Sequence, residues 1–428
     1  MKVRGWIVMQ LFVVCATASL VDEHGKQECS WGKIYVFRIA EELAWGNACH
    51  FLDRFLTCWP RLLPIMRDPI LDNYHGDAFR SVDQFALLRL LYERLQNTKC
   101  VTDRLDEASL VLVPVHLGSI TGVNRGENTQ SVWDYVTHAL RTGYEGPLRG
   151  GGTTPVAAQL RTTVKWLKTQ PDGPLYAIHR LRNVLAITGT IAGLLRQDPP
   201  SCTQPACLGM ASVYTLEMGR PGSRIQAVPY PGPVYFDSRH SIQHYLSAVR
   251  IQPRPIAFSF AGRPRQPGFT SFTRFRGEVI EVCRAAKDCQ TELGITDRAG
   301  REKSGFLGLY ARSEFCLQPA GDSRTRRGIF DSLALGCIPI VHQDAIGAYS
   351  LHISDPAAVA IVARDPGASG FQEAMHRARQ MTSAEKASMR QAIAELLPAL
   401  TYALGDVDYV DAFKILLDNA YNRTRPSR

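Results

Sequence analysis

Short runs of apolar residues recur along the chain, each bounded by polar or turn-forming residues. They occupy residues 34–37, 110–115, 256–260, 314–317 and 338–341. Continuous apolar runs of this length are typical of parallel strands that are buried on both faces. They predict a sheet core rather than a surface.

Segments with helical spacing lie between these runs. Over residues 273–287, for example, apolar side chains recur every three or four positions. Thr382 followed by Glu385 forms a capping box, which predicts a helix that continues through about Leu397. Strands that alternate with helices predict an α/β fold with parallel sheets.

The length of 428 residues exceeds what one ordinary core accommodates, so we expect two domains. The boundary is predicted near residues 247–255, before the run at 256–260. The predicted organisation is therefore an N-terminal α/β domain over residues 30–250 and a C-terminal domain over residues 251–428. The last helices of the second domain are expected to pack back across the first.

Residues 1–22 read as a targeting segment. Lys2 and Arg4 supply a positive end, an apolar stretch follows, and residues 16–18 form a small-residue cleavage pattern. A cleaved signal peptide and a short uncleaved signal anchor both fit this pattern, and a buried first strand fits it less well. We therefore expect a protein of the secretory pathway.

Cysteine usage agrees with export. Apart from Cys15 there are ten cysteines, at positions 29, 49, 58, 100, 202, 207, 283, 289, 316 and 337. An even number in an exported chain predicts disulfides, although their connectivity stays open. The close pairs 202/207 and 283/289 lack flanking histidines and miss the tight spacings of zinc sites, so we expect no metal there. A glycosylation sequon begins at Asn422.

The net charge is +9, which fits nucleic acid, an acidic glycan or a small phosphate-bearing ligand. The positive residues are scattered, and no nucleic-acid-binding module accompanies them. We therefore expect no nucleic-acid partner.

The most informative segment covers residues 312–341. Its pattern is strand, loop, helix and strand, with Gly336 suited to end the helix and Asp322 or Ser323 expected to cap its beginning. A helix that begins at the carboxyl end of a parallel strand is a place where anions bind. Gly321 would allow a phosphate to approach the backbone closely.

Arginines follow this loop at positions 324, 326 and 327, and guanidinium groups grip phosphate oxygens in a fork. Fixed positive charge at that point would stabilise a phosphate-bearing leaving group as its negative charge grows. A plainer interpretation fits the same residues: Arg327 and Asp331 are four apart and would pair on an exposed helix face.

The segment resembles the C-terminal signature of exostosin-like glycosyltransferases. The shared elements are Ser-x-Phe-Cys-Leu, Pro-x-Gly-Asp, Arg-Arg, Phe-Asp and Gly-Cys-Ile-Pro, in this order between residues 313 and 339. Cys-Leu-Gln-Pro and Gly-Asp-Ser-x-Thr-Arg-Arg are most similar to the plant xyloglucan galactosyltransferase branch. Weaker similarity to the same branch extends over residues 33–362.

This resemblance implies a GT-B arrangement of two facing Rossmann-like domains. It also implies inverting transfer of galactose or a similar sugar from a nucleotide sugar, a UDP-sugar, to a polysaccharide or glycoprotein glycan. The reaction would need no cofactor and no metal. The expected location is the Golgi or ER lumen, with a type II membrane anchor if the N-terminal segment is retained.

The residues that the resemblance assigns fall into two groups. Donor-binding residues are Gly321, Asp322, Ser323, Arg326, Arg327 and Asp331. The general base that takes the proton of the acceptor hydroxyl is expected to be Glu217 or His116, both in motif-bearing parts of the N-terminal half.

Two regions depart from the galactosyltransferase branch. Residues 192–194 read Ala-Gly-Leu where the branch has Trp-Asp-Phe, and residues 116–120 lack its aromatic pair. Both departures lie in the acceptor-facing half. An alternative function is therefore an inactive lumenal subunit that supports a partner glycosyltransferase.

Overall fold

The computed structural model describes residues 29, 31–36, 63–64, 80–81, 87–96, 98–102, 107–114, 184–191, 212–217, 225–262, 264, 273–293, 305–321, 323–403 and 405–424. The predicted targeting segment, the candidate base His116 and the departures at 116–120 and 192–194 lie outside these residues. Asp322 lies outside them as well.

The N-terminal half contains a six-stranded parallel sheet in the order β4-β1-β5-β6-β7-β8. Its strands are β1 (Lys33–Val36), β4 (Val101–Thr102), β5 (Ala108–Pro114), β6 (Val184–Ile191), β7 (Ser212–Glu217) and β8 (Ile225–Ala227). A separate antiparallel pair is formed by β2 (Leu63–Pro64) and β3 (Arg80–Ser81).

The C-terminal half contains a five-stranded parallel sheet in the order β10-β9-β11-β12-β13. Its strands are β9 (Ile256–Gly262), β10 (Cys289–Leu293), β11 (Ser313–Gln318), β12 (Ile338–His342) and β13 (Ile361–Ala363).

The helices within the described residues lie between and after these strands. They are α1 (Leu87–Gln96), α2 (Arg239–Ile251), α3 (Thr273–Ala285), α4 (Gly305–Ala311), α5 (Arg327–Ala334), α6 (Gln343–Gly347), α7 (Pro356–Val359), α8 (Ala368–Gln380), α9 (Ser383–Leu400) and α10 (Ala412–Thr424).

The predicted α/β class is confirmed by the strand pairing, since both large sheets are parallel as in Rossmann-like domains of the GT-B type. Each of the five apolar runs forms a strand. Thr382 caps α9 through the predicted box with Glu385, and the helix continues to Leu400.

The C-terminal segment crosses back to the N-terminal sheet. On α10, Asn419 Oδ1 accepts a hydrogen bond from the Tyr214 hydroxyl of β7 at 2.7 Å. Just before α10, Asp411 lies 4.0 Å from the Arg94 guanidinium of α1. These contacts tie the last helix to the first half of the chain.

Over the part of the chain that the structure describes, no helix combines the length and apolar character that a membrane span requires. The N-terminal targeting segment is outside that part.

Candidate functional site

The strand order of the C-terminal sheet reverses between β9 and β11. From β9 the chain passes to β10 on one side, then returns to β11 on the other side and continues to β12. In open α/β sheets, ligands bind at the carboxyl ends of the two strands that flank such a switch point. The crevice between the ends of β9 and β11, followed by the loop 319–326, is therefore the candidate site.

Arg326 spans this crevice. Its Nη2 donates to the carbonyl oxygen of Ala261 near the end of β9, and its Nη1 lies 3.5 Å from the carbonyl oxygen of Pro319 after β11. The guanidinium carbon lies 4.9 Å from the centroid of the Phe260 ring. A cation stacked on an aromatic face and bonded to two carbonyls has a fixed orientation. Arg326 thus joins the carboxyl ends of the two crevice strands.

Helix α5 begins at Arg327, with Arg326 as its N-cap in an extended backbone conformation. The prediction that Asp322 or Ser323 caps this helix is wrong, because the helix starts later. The Ser323 hydroxyl instead lies 3.0 Å from the Thr325 hydroxyl, in a buried turn before the helix. The Arg326 side chain makes no capping hydrogen bond to the first turn of α5. The N–H groups of a first helical turn attract anions.

Arg327 and Asp331 form the predicted pair, one helical turn apart. Nε of Arg327 lies 3.3 Å from Oδ1 of Asp331, and the side chains are 11% and 5% exposed. The interpretation of this pair as an exposed surface contact is wrong, since both groups are withdrawn from water. An ion pair in this position orients the guanidinium toward one side of the helix.

Gln318 was not predicted as a site residue. Its amide nitrogen donates to the Tyr310 hydroxyl at 3.0 Å and to the Ser332 hydroxyl at 2.6 Å. Ser332 in turn donates to the carbonyl oxygen of Gly328 at 2.6 Å. The residue is fully buried, and this network fixes α4 and α5 against the end of β11. The residue stands in the Cys-Leu-Gln-Pro motif, which was the signal that could have identified it.

Gly328 makes room for this network. A Cβ atom at this position would lie 2.4 Å from Gln318 Oε1 and 2.8 Å from Arg326 Nε. Cβ atoms essentially never lie this close to another atom, so any larger residue here would force the side chains of Gln318 and Arg326 to shift.

Arg276 of α3 was also missed as a site residue, and the structure brings it to the loop after β11. Its Nε lies 3.4 Å from the carbonyl oxygen of Ala320, and the residue is 8% exposed. Arg324, by contrast, turns toward α6, where its Nη1 lies 2.5 Å from Oδ2 of Asp344.

The end of α5 is built as Gly336 predicts. Gly336 has φ of +69°, and its N–H donates to the carbonyl oxygen of Leu333. The N–H of Cys337 donates to the carbonyl oxygen of Ser332. This is a Schellman ending, in which glycine adopts the left-handed conformation. The following residue forms a disulfide with Cys316 of β11.

This disulfide encloses the whole candidate donor loop, together with α5. Two others join Cys29 to Cys100 and Cys283 to Cys289. The prediction of disulfides is confirmed for these six cysteines, while the pair 202/207 lies outside the described residues.

The predicted donor residues lie in one place, apart from Asp322, which the structure does not describe. Gly321 and Ser323 are in the loop, Arg326 occupies the N-cap position of α5, and Arg327 and Asp331 lie on its first turns. That they bind a donor stays a prediction. Glu217 ends β7 in the other sheet, and its role as the base also stays a prediction.

Within the described residues, no group of three histidine, cysteine, aspartate or glutamate side chains is placed to hold a metal ion. The metal independence implied by the resemblance is not tested by this finding.

The model of the exostosin GT47 domain matches residues 28–348 of this chain. The chain belongs to the exostosin GT47 family. The crevice between β9 and β11 lies within the matched residues and is therefore part of the exostosin GT47 domain.

The relatives of this chain include proteins from Arabidopsis thaliana. A probable xyloglucan galactosyltransferase is 25% identical over 343 residues, covering 77% of this chain and 66% of that protein. A xyloglucan-specific galacturonosyltransferase is 31% identical over 210 residues, covering 46% of this chain and 31% of that protein. The chain spans 63 to 66% of the length of three galactosyltransferase relatives.

A solved glycosyltransferase from Rickettsia africae is similar with a TM-score of 0.39 and 9% identity, covering 80% of this chain and 95% of that one.

Proposed function

We propose that this chain is an inverting glycosyltransferase that moves galactose or a related sugar from a UDP-sugar to a cell-wall polysaccharide. Family membership supports the reaction class, and the names of the relatives favour xyloglucan as the acceptor. The relatives include both galactosyl and galacturonosyl transferases, so the donor sugar is either neutral or acidic.

The observation that carries this proposal is the crevice at the switch point. There the first turn of α5 and the guanidinium group of Arg326 lie beside the carboxyl ends of β9 and β11, and Arg327 is the first residue of that helix. Breaking the bond between sugar and diphosphate increases the negative charge on the leaving group. Amides and guanidinium groups held in place beforehand stabilise that charge without further reorganisation.

Inversion requires a base on the opposite side of the sugar, which takes the proton of the acceptor hydroxyl as this oxygen attacks the anomeric carbon. Glu217 at the end of β7 and His116 are the candidates, both in the N-terminal half. The carboxylate of Glu217 is our first choice, and its identity rests on the family resemblance.

The secretory pathway is the proposed location. Three disulfides join cysteines that are as far as 71 residues apart, and such bonds persist in an oxidising compartment. We place the enzyme in the Golgi lumen, where the relatives' acceptor class would be available to it. An uncleaved N-terminal segment would add a type II membrane anchor, and a partner transferase belongs to the alternative function of an inactive subunit.

The test is transfer by purified protein produced in a secretory host. UDP-galactose, UDP-galacturonic acid and UDP-xylose are each supplied with degalactosylated xyloglucan oligosaccharides. We expect a product with one donor, with inverted anomeric configuration by NMR. Folded protein that neither hydrolyses nor transfers any donor would overturn the proposal and favour the alternative of an inactive subunit.

A further inference from the structure

Arg276 lies in the first turn of α3, the helix that follows β9, but its side chain contacts the loop that follows β11. Nε lies 3.4 Å from the carbonyl oxygen of Ala320. Nη2 lies 3.4 Å from the point where a Cβ atom on Gly321 would stand. The guanidinium therefore packs directly against the backbone of the loop at residues 319–326, which is called the phosphate loop below.

Arg326 makes the opposite connection. It begins α5, the helix after β11, and donates to Ala261 at the end of β9. Each arginine thus starts from the helix that follows one crevice strand and bonds the backbone beside the other strand. Together they fix the width of the crevice and the shape of the loop between them.

Burial of a guanidinium group costs solvation energy, and arginine cannot avoid this cost by losing its proton. Arg276 therefore keeps a full positive charge beneath the loop. A positive charge held beside this backbone favours an anion at the loop.

We propose that Arg276 is a positioning residue for the diphosphate of the nucleotide sugar. It holds the backbone at Ala320 and Gly321 so that the loop faces the phosphates, and it adds positive charge at that point. This role rests on the proposed function, and it concerns the β-phosphate of the donor rather than the nucleoside.

The chain offers a matched control in Arg254. This arginine also bonds backbone carbonyls, those of Ser313 at 2.9 Å and Leu335 at 2.7 Å. It precedes β9 and therefore lies at the amino end of the sheet, away from the crevice. Substitution of Arg254 removes comparable hydrogen bonds to the backbone and does not affect the phosphate loop directly.

The experiment measures the Kd of UDP and of UMP by calorimetry for the full chain and its variants. For Arg276→Met we expect UDP binding to weaken about tenfold or more and UMP binding to change little, so that the preference for UDP falls. Arg276→Lys keeps the charge and should retain part of the preference. Arg254→Met should lower the melting temperature and leave the preference unchanged.

An unchanged preference for UDP over UMP in Arg276→Met would overturn this role. If that variant does not fold, Arg276→Lys decides in the same way, because loss of the fork alone should reduce the preference. If wild-type protein binds neither UDP nor UMP, the proposed function fails and this role with it. Binding by wild type with equal loss of both nucleotides in Arg276→Met would show a merely structural role.

Discussion

Arg327 and Asp331 form a buried ion pair on the first turns of α5, with 3.3 Å between Nε and Oδ1 and little exposure of either side chain. Exposed pairs at this spacing contribute a few tenths of a kcal/mol. Removal of one partner from a buried pair is different, because the remaining charge loses its compensation at a cost of about 3–5 kcal/mol. The pair is therefore both a structural feature of α5 and the means by which Arg327 is oriented.

For Arg327→Ala and Asp331→Ala we expect a drop in the free energy of unfolding of about 3 kcal/mol and donor binding weakened roughly tenfold to a hundredfold. Arg327→Lys should recover only part of the binding. Arg326→Ala should weaken binding to a similar degree, because the crevice loses its link to Ala261. Denaturant titration and calorimetry with UDP separate the two effects.

The double variant Arg327→Met/Asp331→Leu is the decisive control for this pair. Replacement of both charges by apolar side chains should restore most of the stability but not the binding. A stable double variant with wild-type affinity for UDP would contradict a role of Arg327 in the donor site.

A second prediction concerns Gly328, whose added Cβ atom would lie 2.4 Å from Gln318 Oε1. Alanine ordinarily stabilises a helix relative to glycine by about 0.5–1 kcal/mol. For Gly328→Ala we expect the reverse, a lower melting temperature together with weaker UDP binding. Gly277→Ala in α3, where no atom lies within 4 Å of the added Cβ, should be neutral or stabilising. Equal behaviour of the two variants would count against the close packing at α5.

The parts of the fold that were predictable are those encoded locally. Apolar runs identified all five predicted strands, and Thr382 and Gly336 marked a helix start and a helix end correctly. Such signals depend only on neighbouring residues. The strand β10 was missed because its sequence, Cys-Gln-Thr-Glu-Leu, is polar and only half-buried at the sheet edge.

Tertiary contacts could not be predicted in the same way. Arg276 and Ala320 are 44 positions apart, and only the pairing of β9 with β11 brings them together. The start of α5 was misplaced because the Ser323 hydroxyl bonds within its own turn, which competes with capping. Strand β8 lies in a stretch rich in glycine and proline, and it forms because it pairs with β7.

A third prediction concerns the disulfide between Cys316 and Cys337, which closes a loop of 21 residues around the donor site. Replacement of both cysteines by alanine should lower the free energy of unfolding by about 3 kcal/mol through the entropy of the unfolded chain. The disulfide between Cys283 and Cys289 closes a loop of 6 residues, and its removal should cost about 2 kcal/mol. Denaturant titration measures both values.

Because the first loop carries the donor residues, its opening should also weaken UDP binding, whereas removal of the second should not. Mass mapping of protein from a secretory host should find these cysteines oxidised. Free thiols at all of them would contradict both the disulfides and the proposed compartment.

The fourth prediction is that transfer survives chelation. The candidate donor loop contains no Asp-x-Asp pair, and arginines with helix amides are available to offset the diphosphate charge. Activity after treatment with EDTA should equal that of untreated protein, with added Mn²⁺ or Mg²⁺ making little difference. Complete loss that is restored by metal would show that the arginines do not suffice.

The last prediction concerns pH and His352, which lies 5% exposed between α6 and α7. Its Nε2 is 3.2 Å from the carbonyl oxygen of Ala412 at the start of α10, and burial lowers the pKa of the ring to about 4 from 6.5. Between pH 4 and pH 6.5 the ring is therefore protonated in the unfolded chain and neutral in the folded chain. The free energy of unfolding should therefore be fully maintained above pH 6.5 and should fall as the pH decreases toward 4. At about 1.36 kcal/mol per pKa unit, the loss from this residue approaches ~3 kcal/mol.

The measurement is denaturant titration between pH 7 and 5 for wild type, His352→Phe and His376→Phe. His352→Phe should flatten the dependence, and His376→Phe, at an exposed position on α8, is the control for the substitution itself. A wild-type slope in His352→Phe would show that other groups set the acid sensitivity of the contact between α10 and the rest of the chain.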